Sequence, residues 1–282
     1  MRTLIFGVRG QLGRELQKVF SGSGESLGYD LPELDIADGT AVHDAVKLTA
    51  PDVVINAAAY TDVEGAEDHI EAAFLANEAG ARHTAEVAAY FNLPIVYIST
   101  DFVFDGTKNT PYLPEDSVSP LGVYARSKAA GEAATRKANP RHFIVRTAWL
   151  YGPGGNNFVE KMIRAAETRP QLDVVEDETG SPTHTLDLAE AVHALCETTA
   201  YGMYHAVNAG ACSRYEFACE ILRLAGLDTP ITPCSAAQFP SKAARPAYSV
   251  LDTGALEKAA GYVPRPWKAA LAHYLQRREE LK

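Results

Sequence analysis

The chain opens with a stretch that decides its fold, Thr3-Leu4-Ile5-Phe6-Gly7-Val8-Arg9-Gly10-Gln11-Leu12-Gly13. Residues 3–6 are apolar and predict a short buried strand, and residues 11–20 carry apolar side chains at helical spacing. The turn between them has the form G-x-x-G-x-x-G, which permits a tight bend and lets backbone N–H groups approach a pyrophosphate at the helix start. An unspecialised strand–helix turn would also use glycines, but the order of strand, glycines and helix favours a dinucleotide site.

Strand and helix patterns alternate through the first half of the chain. Strands are predicted at residues 3–6, 26–29, 52–56, 95–98 and 142–146, and helices at 11–20, 39–49, 71–91 and 124–139. Strands that are apolar along their whole length indicate a parallel sheet covered by helices on both faces. We therefore predict an α/β fold, namely a Rossmann-like doubly wound parallel sheet with right-handed crossovers.

The pattern changes after Trp149. A glycine-rich loop at 152–157 and a proline-rich stretch at 229–246 interrupt further helices and strands, predicted at residues 158–168, 172–175, 186–198, 203–207, 215–224, 254–260 and 267–280. We assign residues 1–148 to a dinucleotide-binding domain and residues 149–282 mainly to a smaller C-terminal α/β substrate-binding lobe. Elements at roughly 172–207 are expected to return to the main sheet, and a cleft between the two parts is a usual ligand site.

The composition of the 282 residues argues against several classes of protein. The net charge is −10, and no cluster of Lys and Arg marks a nucleic-acid surface. No apolar run approaches the length of a membrane span, and the chain enters a strand without a signal peptide. The four cysteines form no C-x-x-C pair, so reduced thiols in a cytoplasmic protein are expected.

Two residues near the glycine loop give opposing predictions about the cofactor. Asp30 follows the second predicted strand, where a carboxylate accepts a hydrogen bond from the ribose 2′-hydroxyl of NAD. Arg9, inside the loop, could instead hold the 2′-phosphate of NADP. The choice between NADH and NADPH therefore stays open, and Asp30 could also be a simple turn residue. Asp35 and Ile36 are candidates for lining the adenine pocket.

Small residues follow the strand predicted at 52–56. Ala57, Ala58 and Ala59 would let a ligand lie close to the backbone, or they could simply pack against a helix. Ligands of α/β sheets bind at the carboxyl ends of the strands. This position favours contact with the cofactor.

Residues 95–128 carry side chains suited to proton transfer. The strand at 95–98 ends in Ser99-Thr100-Asp101, and Tyr124 and Lys128 lie one helical turn apart on a shared face. A lysine ammonium favours the phenolate and lowers the tyrosine pKa toward the range of efficient proton transfer. Thr100 could bind the substrate oxygen. Asp101 could order the loop or cap a turn, so its role stays open.

Together these motifs resemble the extended short-chain dehydrogenase/reductase superfamily. Within it, the chain is similar to the dTDP-4-dehydrorhamnose reductase family, on further segments that match in one order across nearly the whole chain. Those segments are residues 10–13, 146–152, 155–158, 180–183 and 244–246.

The resemblance implies that NADPH or NADH reduces the C4 ketone of dTDP-4-dehydro-L-rhamnose to give dTDP-L-rhamnose. Tyr124 would protonate the forming alkoxide, and Lys128 would bind the nicotinamide ribose and tune Tyr124. Thr100 would hold the substrate oxygen. The substrate side would be lined by Trp149, Asn157 and Arg245, with Arg245 a partner for the diphosphate.

Two positions depart from the family pattern. Phe102 stands where many relatives have tyrosine, a change attributed to packing. Some relatives form Mg²⁺-bridged dimers through acidic residues, and Glu15 matches a position of that kind. No convincing second acid accompanies it, so the sequence does not support a Mg²⁺ site and leaves a homodimer open.

Other functions remain as alternatives. Sugar-nucleotide 4,6-dehydratases typically carry Thr-Asp-Glu, whereas Phe102 cannot deprotonate a sugar carbon. A reductase or epimerase of another nucleotide-linked 4-keto-6-deoxysugar fits the same motifs. The regulatory subunit of methionine adenosyltransferase is a non-catalytic protein that resembles this fold, but Thr100, Tyr124 and Lys128 are all present here and favour an enzyme.

Overall fold

The computed structural model describes residues 1–280, and the side chains of residues 1–278. Residues 281 and 282, the end of the lobe predicted at 149–282, lie outside the described residues. The strands are β1 (Arg2–Phe6), β2 (Glu25–Tyr29), β3 (Val53–Asn56), β4 (Ile95–Thr100), β5 (His142–Thr147), β6 (Leu150–Tyr151), β7 (Leu172–Val175), β8 (Thr179–Gly180), β9 (Thr183–His184), β10 (Gly202–His205), β11 (Cys212–Ser213) and β12 (Ile231–Cys234). The helices are α1 (Gln11–Ser21), α2 (Gly39–Thr49), α3 (Val63–Ala66), α4 (Ile70–Phe74), α5 (Gly80–Tyr90), α6 (Val123–Ala138), α7 (Phe158–Thr168), α8 (Thr185–Cys196), α9 (Arg214–Ala225), α10 (Gly254–Ala260) and α11 (Trp267–Glu280).

The central sheet is parallel, in the order β10-β5-β4-β3-β1-β2. The strand order reverses at β1, which lies between β2 and β3. Phe6 therefore pairs with Tyr29 on one side and with Asn56 on the other. In such a sheet the crevice at the carboxyl ends, beside the reversal, is the usual place for a ligand. The predicted α/β class and doubly wound sheet are confirmed.

Both faces of the sheet are covered by helices because side chains alternate along each strand. In β1, Ile5 packs on a core formed with α1 and α8, where Leu16 and Leu188 are fully buried or nearly so. Leu4, next to Ile5, packs on the opposite core with Val42 of α2. The two cores explain why the strands carry no polar face.

The helix predicted at 71–91 is interrupted in the structure. Helix α4 passes into a π-helical turn at Leu75–Ala79 before α5 begins. Asn77 in this turn is fully buried, and its side-chain amide binds both the N–H and the C=O of Tyr60 at 2.9 and 3.1 Å. Asn77 also donates to the Ser127 hydroxyl at 2.9 Å. A π turn often occurs at a functional site, and here it fixes the loop after β3 to helix α6.

The C-terminal half contributes to two different layers. Strand β10 joins the central sheet beside β5, whereas β7 pairs with β12 outside it. Of the elements expected to return to the sheet from residues 172–207, the strand at 202–205 does so and the one at 172–175 does not. Helices α7, α9 and α11 enclose a separate core around Phe217 and Leu271. Within residues 1–280, no helix is long and apolar enough to cross a bilayer.

Candidate active site

A cavity of 760 Å³ lies at the carboxyl ends of the central strands. Its walls come from the loops after β1, β3, β4 and β5 and from the first turns of α6. The predicted site residues that line it are Gly7, Arg9, Gly10, Gln11, Leu12, Gly13, Asp30, Asp35, Ile36, Ala57, Ala58, Ala59, Thr100, Asp101, Tyr124, Lys128, Trp149 and Arg245. Asn157 is the predicted residue that does not.

The glycine loop leaves one end of this cavity bare of side chains. Gly7 has φ +84°, and a Cβ on it would lie 2.6 Å from the backbone N of Ala58. A Cβ on Gly13 would lie 2.1 Å from the carbonyl oxygen of Gly7. The residue before α1, Gly10, provides no side-chain acceptor for the first N–H groups of the helix. Those N–H groups can therefore bind an anion such as a pyrophosphate.

The Asp30 carboxylate is fastened to the glycine loop. Its Oδ2 accepts from the Arg9 N–H at 2.8 Å, and its Oδ1 accepts from the Leu31 N–H at 2.9 Å. The Arg9 guanidinium donates to the carbonyl of Leu31 at 3.0 Å and pairs with Glu33. Two carboxylates and one guanidinium thus lie at the end of β2, where protein side chains bind the ribose 2′-hydroxyl of NAD or the 2′-phosphate of NADP.

Asp35 and Ile36 form the far wall of the same end. Asp35 closes a turn by accepting from the Ala37 N–H at 2.9 Å. Ile36 is 6% exposed and packs closely on α5, where a Cβ on Gly80 would lie 2.6 Å from its Cδ1. An apolar wall of this kind suits the flat face of a purine.

Thr100 and Asp101 form a buried pair at the end of β4. The Thr100 hydroxyl donates to Asp101 Oδ1 at 3.1 Å and accepts from the Phe102 N–H at 3.2 Å. Asp101 is 1% exposed. Burial raises the pKa of Asp101 to about 6, and the neighbouring Ser249 and Thr100 hydroxyls and the Arg214 charge offset this only in part.

Tyr124 and Lys128 project from the first two turns of α6. Lys128 is buried, and its Nζ donates to the carbonyl of Ile98 at 2.7 Å and lies 4.1 Å from the centre of the Tyr97 ring. Burial lowers the pKa of Lys128 to about 7, although Glu132 opposes the change. Burial raises the pKa of Tyr124 to about 12, with Thr100 opposing and the Asp101 charge adding to the rise. The tyrosine is therefore a protonated phenol at neutral pH.

Trp149 has a positive backbone φ, and an arginine stacks on its ring. Its φ is +45°, a conformation that side chains rarely adopt and that surrounding contacts must hold in place. The Arg214 guanidinium stacks 3.5 Å from the centre of the indole ring. Gly180 lies on the ring as well, since a Cβ there would be 2.5 Å from Cε2. Glu178 forms an ion pair with Arg214 at 3.6 Å.

Arg245 stands at the junction with a second cavity. Its guanidinium donates to Glu64 of α3 at 2.8 Å, and hydrogen bonds from Ser241 and Arg245 lower the pKa of Glu64 to about 2. The second cavity measures 880 Å³, and both Arg214 and Arg245 line it as well as the first. The two cavities thus share two cations.

Asn157 has a different place from the one expected. Its Oδ1 accepts from the Glu160 N–H at 3.1 Å and caps α7, while its Nδ2 donates to the Gly152 carbonyl at 2.9 Å. These bonds use the amide to shape the loop before α7. The structure therefore gives Asn157 a role in loop geometry, and its contact with substrate remains a prediction.

Sequence reasoning missed several residues of the site. Arg214 and Tyr97 both contact predicted site residues, yet neither stands at a spacing that marks it. Ser213 and Glu216 form a capping box that starts α9 and so points Arg214 toward Trp149. The Ser-x-x-Glu spacing of the capping box can be recognised in the sequence, but the contact of Arg214 with Trp149 cannot.

The Glu15 carboxylate is paired with cations in this structure. Glu15 is 2% exposed, and its Oε1 accepts from Arg277 at 3.2 Å, with Lys18 Nζ at 3.7 Å. Arg277 and Lys18 thus both pair with this carboxylate oxygen. Across residues 1–280, no group of three or more His, Cys, Asp and Glu side chains could hold an ion.

Comparisons with known proteins give consistent results. A family model described as RmlD substrate binding domain matches residues 1–280. The spore coat polysaccharide biosynthesis protein SpsK of Bacillus subtilis is 42% identical over 278 residues, which cover 98% of each chain. The structure of a dTDP-4-dehydrorhamnose reductase from Clostridium acetobutylicum superimposes with a TM-score of 0.96 at 42% identity, covering 99% of this chain and 100% of that one. The dTDP-4-dehydrorhamnose reductase of Bacillus anthracis, solved in complex with NADP, gives 0.94 at 37% identity and covers 98% and 99%.

Proposed function

This chain belongs to the RmlD substrate binding domain family, and we propose that it reduces the C4 ketone of dTDP-4-dehydro-L-rhamnose with NADH or NADPH, giving dTDP-L-rhamnose. The observation that carries the proposal is a single cavity that joins the glycine loop to Thr100, Tyr124 and Lys128. Such a cavity holds a dinucleotide and a proton donor side by side. The enzyme is thus an oxidoreductase of nucleotide-sugar biosynthesis.

The nucleotide end of the cavity suits the cofactor. The N–H groups at the start of α1 would bind the pyrophosphate, and Asp30 would accept a hydrogen bond from the adenosine ribose. Ala57, Ala58 and Ala59 let the cofactor lie against the end of β3. When bound, the reduced nicotinamide supplies the hydride that the ketone carbon accepts. Lys128 Nζ would bind the ribose of the nicotinamide.

Tyr124 supplies the proton. Burial raises the Tyr124 pKa to about 12, so the phenol is protonated at neutral pH and is a weaker acid than a free tyrosine, but it remains a stronger acid than the alcohol that forms. As hydride reaches the ketone carbon, the proton passes from the Tyr124 hydroxyl to the forming alkoxide oxygen, which is a much stronger base than a phenolate. The Thr100 hydroxyl shares the substrate oxygen, and the Lys128 charge favours the phenolate that remains.

Phe102 directs the site toward reduction and away from water elimination. Its ring meets the Tyr124 ring edge-on with centroids 5.9 Å apart. Elimination needs a base that removes a proton from a sugar carbon, and a phenylalanine at this position has none. A ketone with a hydride source and one proton donor can only gain both, forming an alcohol.

The substrate fits across the junction of the two cavities. We place the sugar beside Trp149 and Tyr124 in the first cavity and the diphosphate between Arg214 and Arg245, since arginine forks match phosphate oxygens. The second cavity carries Phe158 and Phe239, whose rings suit a nucleobase. In this reading the partner is a small nucleotide sugar, the location is the cytoplasm, where reduced cofactor is available, and a homodimer is compatible.

The test is turnover with a defined substrate. The purified chain is supplied with dTDP-4-dehydro-L-rhamnose and either NADH or NADPH, and cofactor oxidation is followed together with product identity by NMR. We expect stoichiometric oxidation and a single dTDP-L-rhamnose product. Folded protein that oxidises neither cofactor with this sugar would overturn the proposal. Turnover with a different dTDP-4-keto-6-deoxysugar alone would keep the reductase and change its substrate, and stoichiometric loss of cofactor would exclude an epimerase.

A further inference from the structure

A buried ion pair lies directly behind the proton-transfer residues. Arg146 of β5 donates to Glu132 of α6 through Nε at 2.8 Å and through Nη2 at 2.7 Å. The Ser99 hydroxyl of β4 donates to the same carboxylate at 2.6 Å. Arg146, Glu132 and Ser99 are at most 5% exposed. A carboxylate that is buried so deeply needs its hydrogen bonds satisfied, and here three donors meet it.

This network joins the elements that carry the site. Glu132 lies one helical turn after Lys128 and two after Tyr124, on the same face of α6. Ser99 lies between Ile98, whose carbonyl holds Lys128, and Thr100. The third member, Arg146, belongs to the strand that leads to Trp149. Fixing these three side chains therefore fixes the mutual positions of the acid, the lysine and the threonine.

The network also places a negative charge near Lys128. Lys128 Nζ is held by one carbonyl and the Tyr97 ring, and the groups that face it along α6 are Tyr124 and Glu132. Other charged or titratable groups on elements packed against α6 or at its start are Asp101, Arg146 and Glu67. Burial works against the charge on Lys128, and Glu132 is the group that opposes this effect.

The far side of the network is held as well. Arg146 Nη1 donates to the carbonyl of Pro114 at 3.1 Å, and the guanidinium lies 4.9 Å from the centre of the Phe104 ring. His205 approaches Arg146 at 3.5 Å, and burial lowers its pKa to about 3, so it stays neutral. The guanidinium therefore has one anionic partner, and it cannot turn away from Glu132 without losing its hydrogen bonds.

We propose that Glu132, held by Arg146 and Ser99, is a positioning residue that fixes α6 against β4 and so fixes Lys128 and Tyr124 relative to Thr100. The Glu132 charge also favours the protonated form of Lys128. The proposal rests on the proposed reductase function. Glu132 itself does not line the cavity and touches no reactant. Its effect passes through Lys128 and Ser99.

The test separates charge from contact with two variants and a matched control. Glu132→Gln removes the charge and retains an amide of similar shape. Ser99→Ala removes one contact and retains the charge. The control is Glu160→Gln, because Glu160 also accepts two bonds from an arginine, at 2.7 and 3.0 Å, and one from the Tyr274 hydroxyl at 2.8 Å, outside both cavities. Melting temperature and circular dichroism check each fold.

The readouts are the pH profile of kcat and the pH dependence of the NADH dissociation constant. Loss of the Glu132 charge lowers the pKa of Lys128, so its protonated form disappears at lower pH. For Glu132→Gln we expect the alkaline limb of both profiles to move down by about one pH unit. For Ser99→Ala we expect the alkaline limb to stay at the wild-type pH. We expect kcat to fall by about five- to tenfold, because small misplacements of catalytic groups lower the rate strongly. Glu160→Gln should leave both profiles unchanged.

Opposite outcomes are equally clear. If the alkaline limb of the pH profiles does not move in Glu132→Gln, or moves as far in Glu160→Gln, the Glu132 charge does not act on Lys128. If Glu132→Gln does not fold, Ser99→Ala decides, and an unchanged kcat for that variant overturns the positioning part. NADH binding is measured without sugar, so it reports on Lys128 even if the wild-type chain reduces a different substrate.

Discussion

Replacing Tyr124 with Phe removes the proposed acid with little other change. The ring remains, and so does its edge contact with Phe102 at 5.9 Å. A positioned general acid contributes roughly 10²–10⁴-fold to the rate. Each tenfold corresponds to about 1.4 kcal/mol, so Tyr124→Phe should raise the barrier by about 3–5.5 kcal/mol.

The assay compares kcat with cofactor affinity. Steady-state reduction of dTDP-4-dehydro-L-rhamnose gives kcat, and fluorescence titration gives the NADH dissociation constant, which should stay unchanged. Tyr262→Phe is the control, because the Tyr262 hydroxyl donates to the Asp187 carbonyl at 2.9 Å, away from the cavity. That variant should lose about 1 kcal/mol of stability and no activity. A kcat for Tyr124→Phe within about tenfold of wild type would remove Tyr124 from the acid role.

Three further perturbations test other parts of the site. Asp101 has a pKa raised from 3.8 to about 6, so the folded state binds the proton more tightly and the wild-type free energy of unfolding falls as pH rises from 3.8 to 6. Denaturant unfolding should show a loss of up to about 3 kcal/mol over this range relative to Asp101→Asn. Parallel stability curves for the two proteins would refute the raised pKa. Gly7→Ala should abolish NADH binding because its Cβ would collide with the backbone of Ala57 and Ala58 after β3. Gly226→Ala, also at positive φ but in open space, should cost about 1 kcal/mol of stability and leave NADH binding intact. Equal NADH affinities of the two variants would contradict this. Glu33→Gln frees Arg9 for a 2′-phosphate and should tighten NADPH about tenfold by calorimetry while NADH binding stays constant; an unchanged NADPH affinity would show that Glu33 does not hold Arg9 back.

The central fold could be predicted because its signals are local. Strand β3 is apolar at Val53, Val54 and Ile55, and only burial on both faces accommodates such a strand. The π turn could not be predicted from local sequence, because it depends on the hydrogen bond from Asn77 to Ser127, which lies fifty residues further along the chain. The short strand β12 lies inside the proline-rich stretch, and its pairing with β7 is not encoded by a repeating pattern.

The site divides in the same way. The glycine loop and the spacing of Tyr124 and Lys128 are sequence patterns, and the cavity brings them together. Arg214 and Trp149 are far apart in sequence and stack only because α9 starts beside the loop after β5. The predicted lowering of the Tyr124 pKa by Lys128 is wrong, because burial raises the pKa of Tyr124 to about 12 and lowers the pKa of Lys128 to about 7. Desolvation depends on the packed structure and leaves no mark in the spacing of residues.

The comparisons confirm the family predicted from the motifs. They also agree with a nicotinamide cofactor, since a relative at 37% identity was solved with NADP. Phe102 is the residue that narrows the chemistry within this fold. Its ring packs edge-on against Tyr124, and a phenylalanine has no group that could remove a proton from a sugar carbon.

Transfer of an isotopic label tests hydride reduction most directly. The chain is given dTDP-4-dehydro-L-rhamnose and NADH or NADPH that carries deuterium at the transferable position of the nicotinamide, and the product is examined by NMR. We expect one deuterium at C4 of the rhamnose and none at C3 or C5, with one cofactor oxidised per sugar. Product without deuterium at C4, or a sugar altered while the cofactor stays reduced, would contradict it.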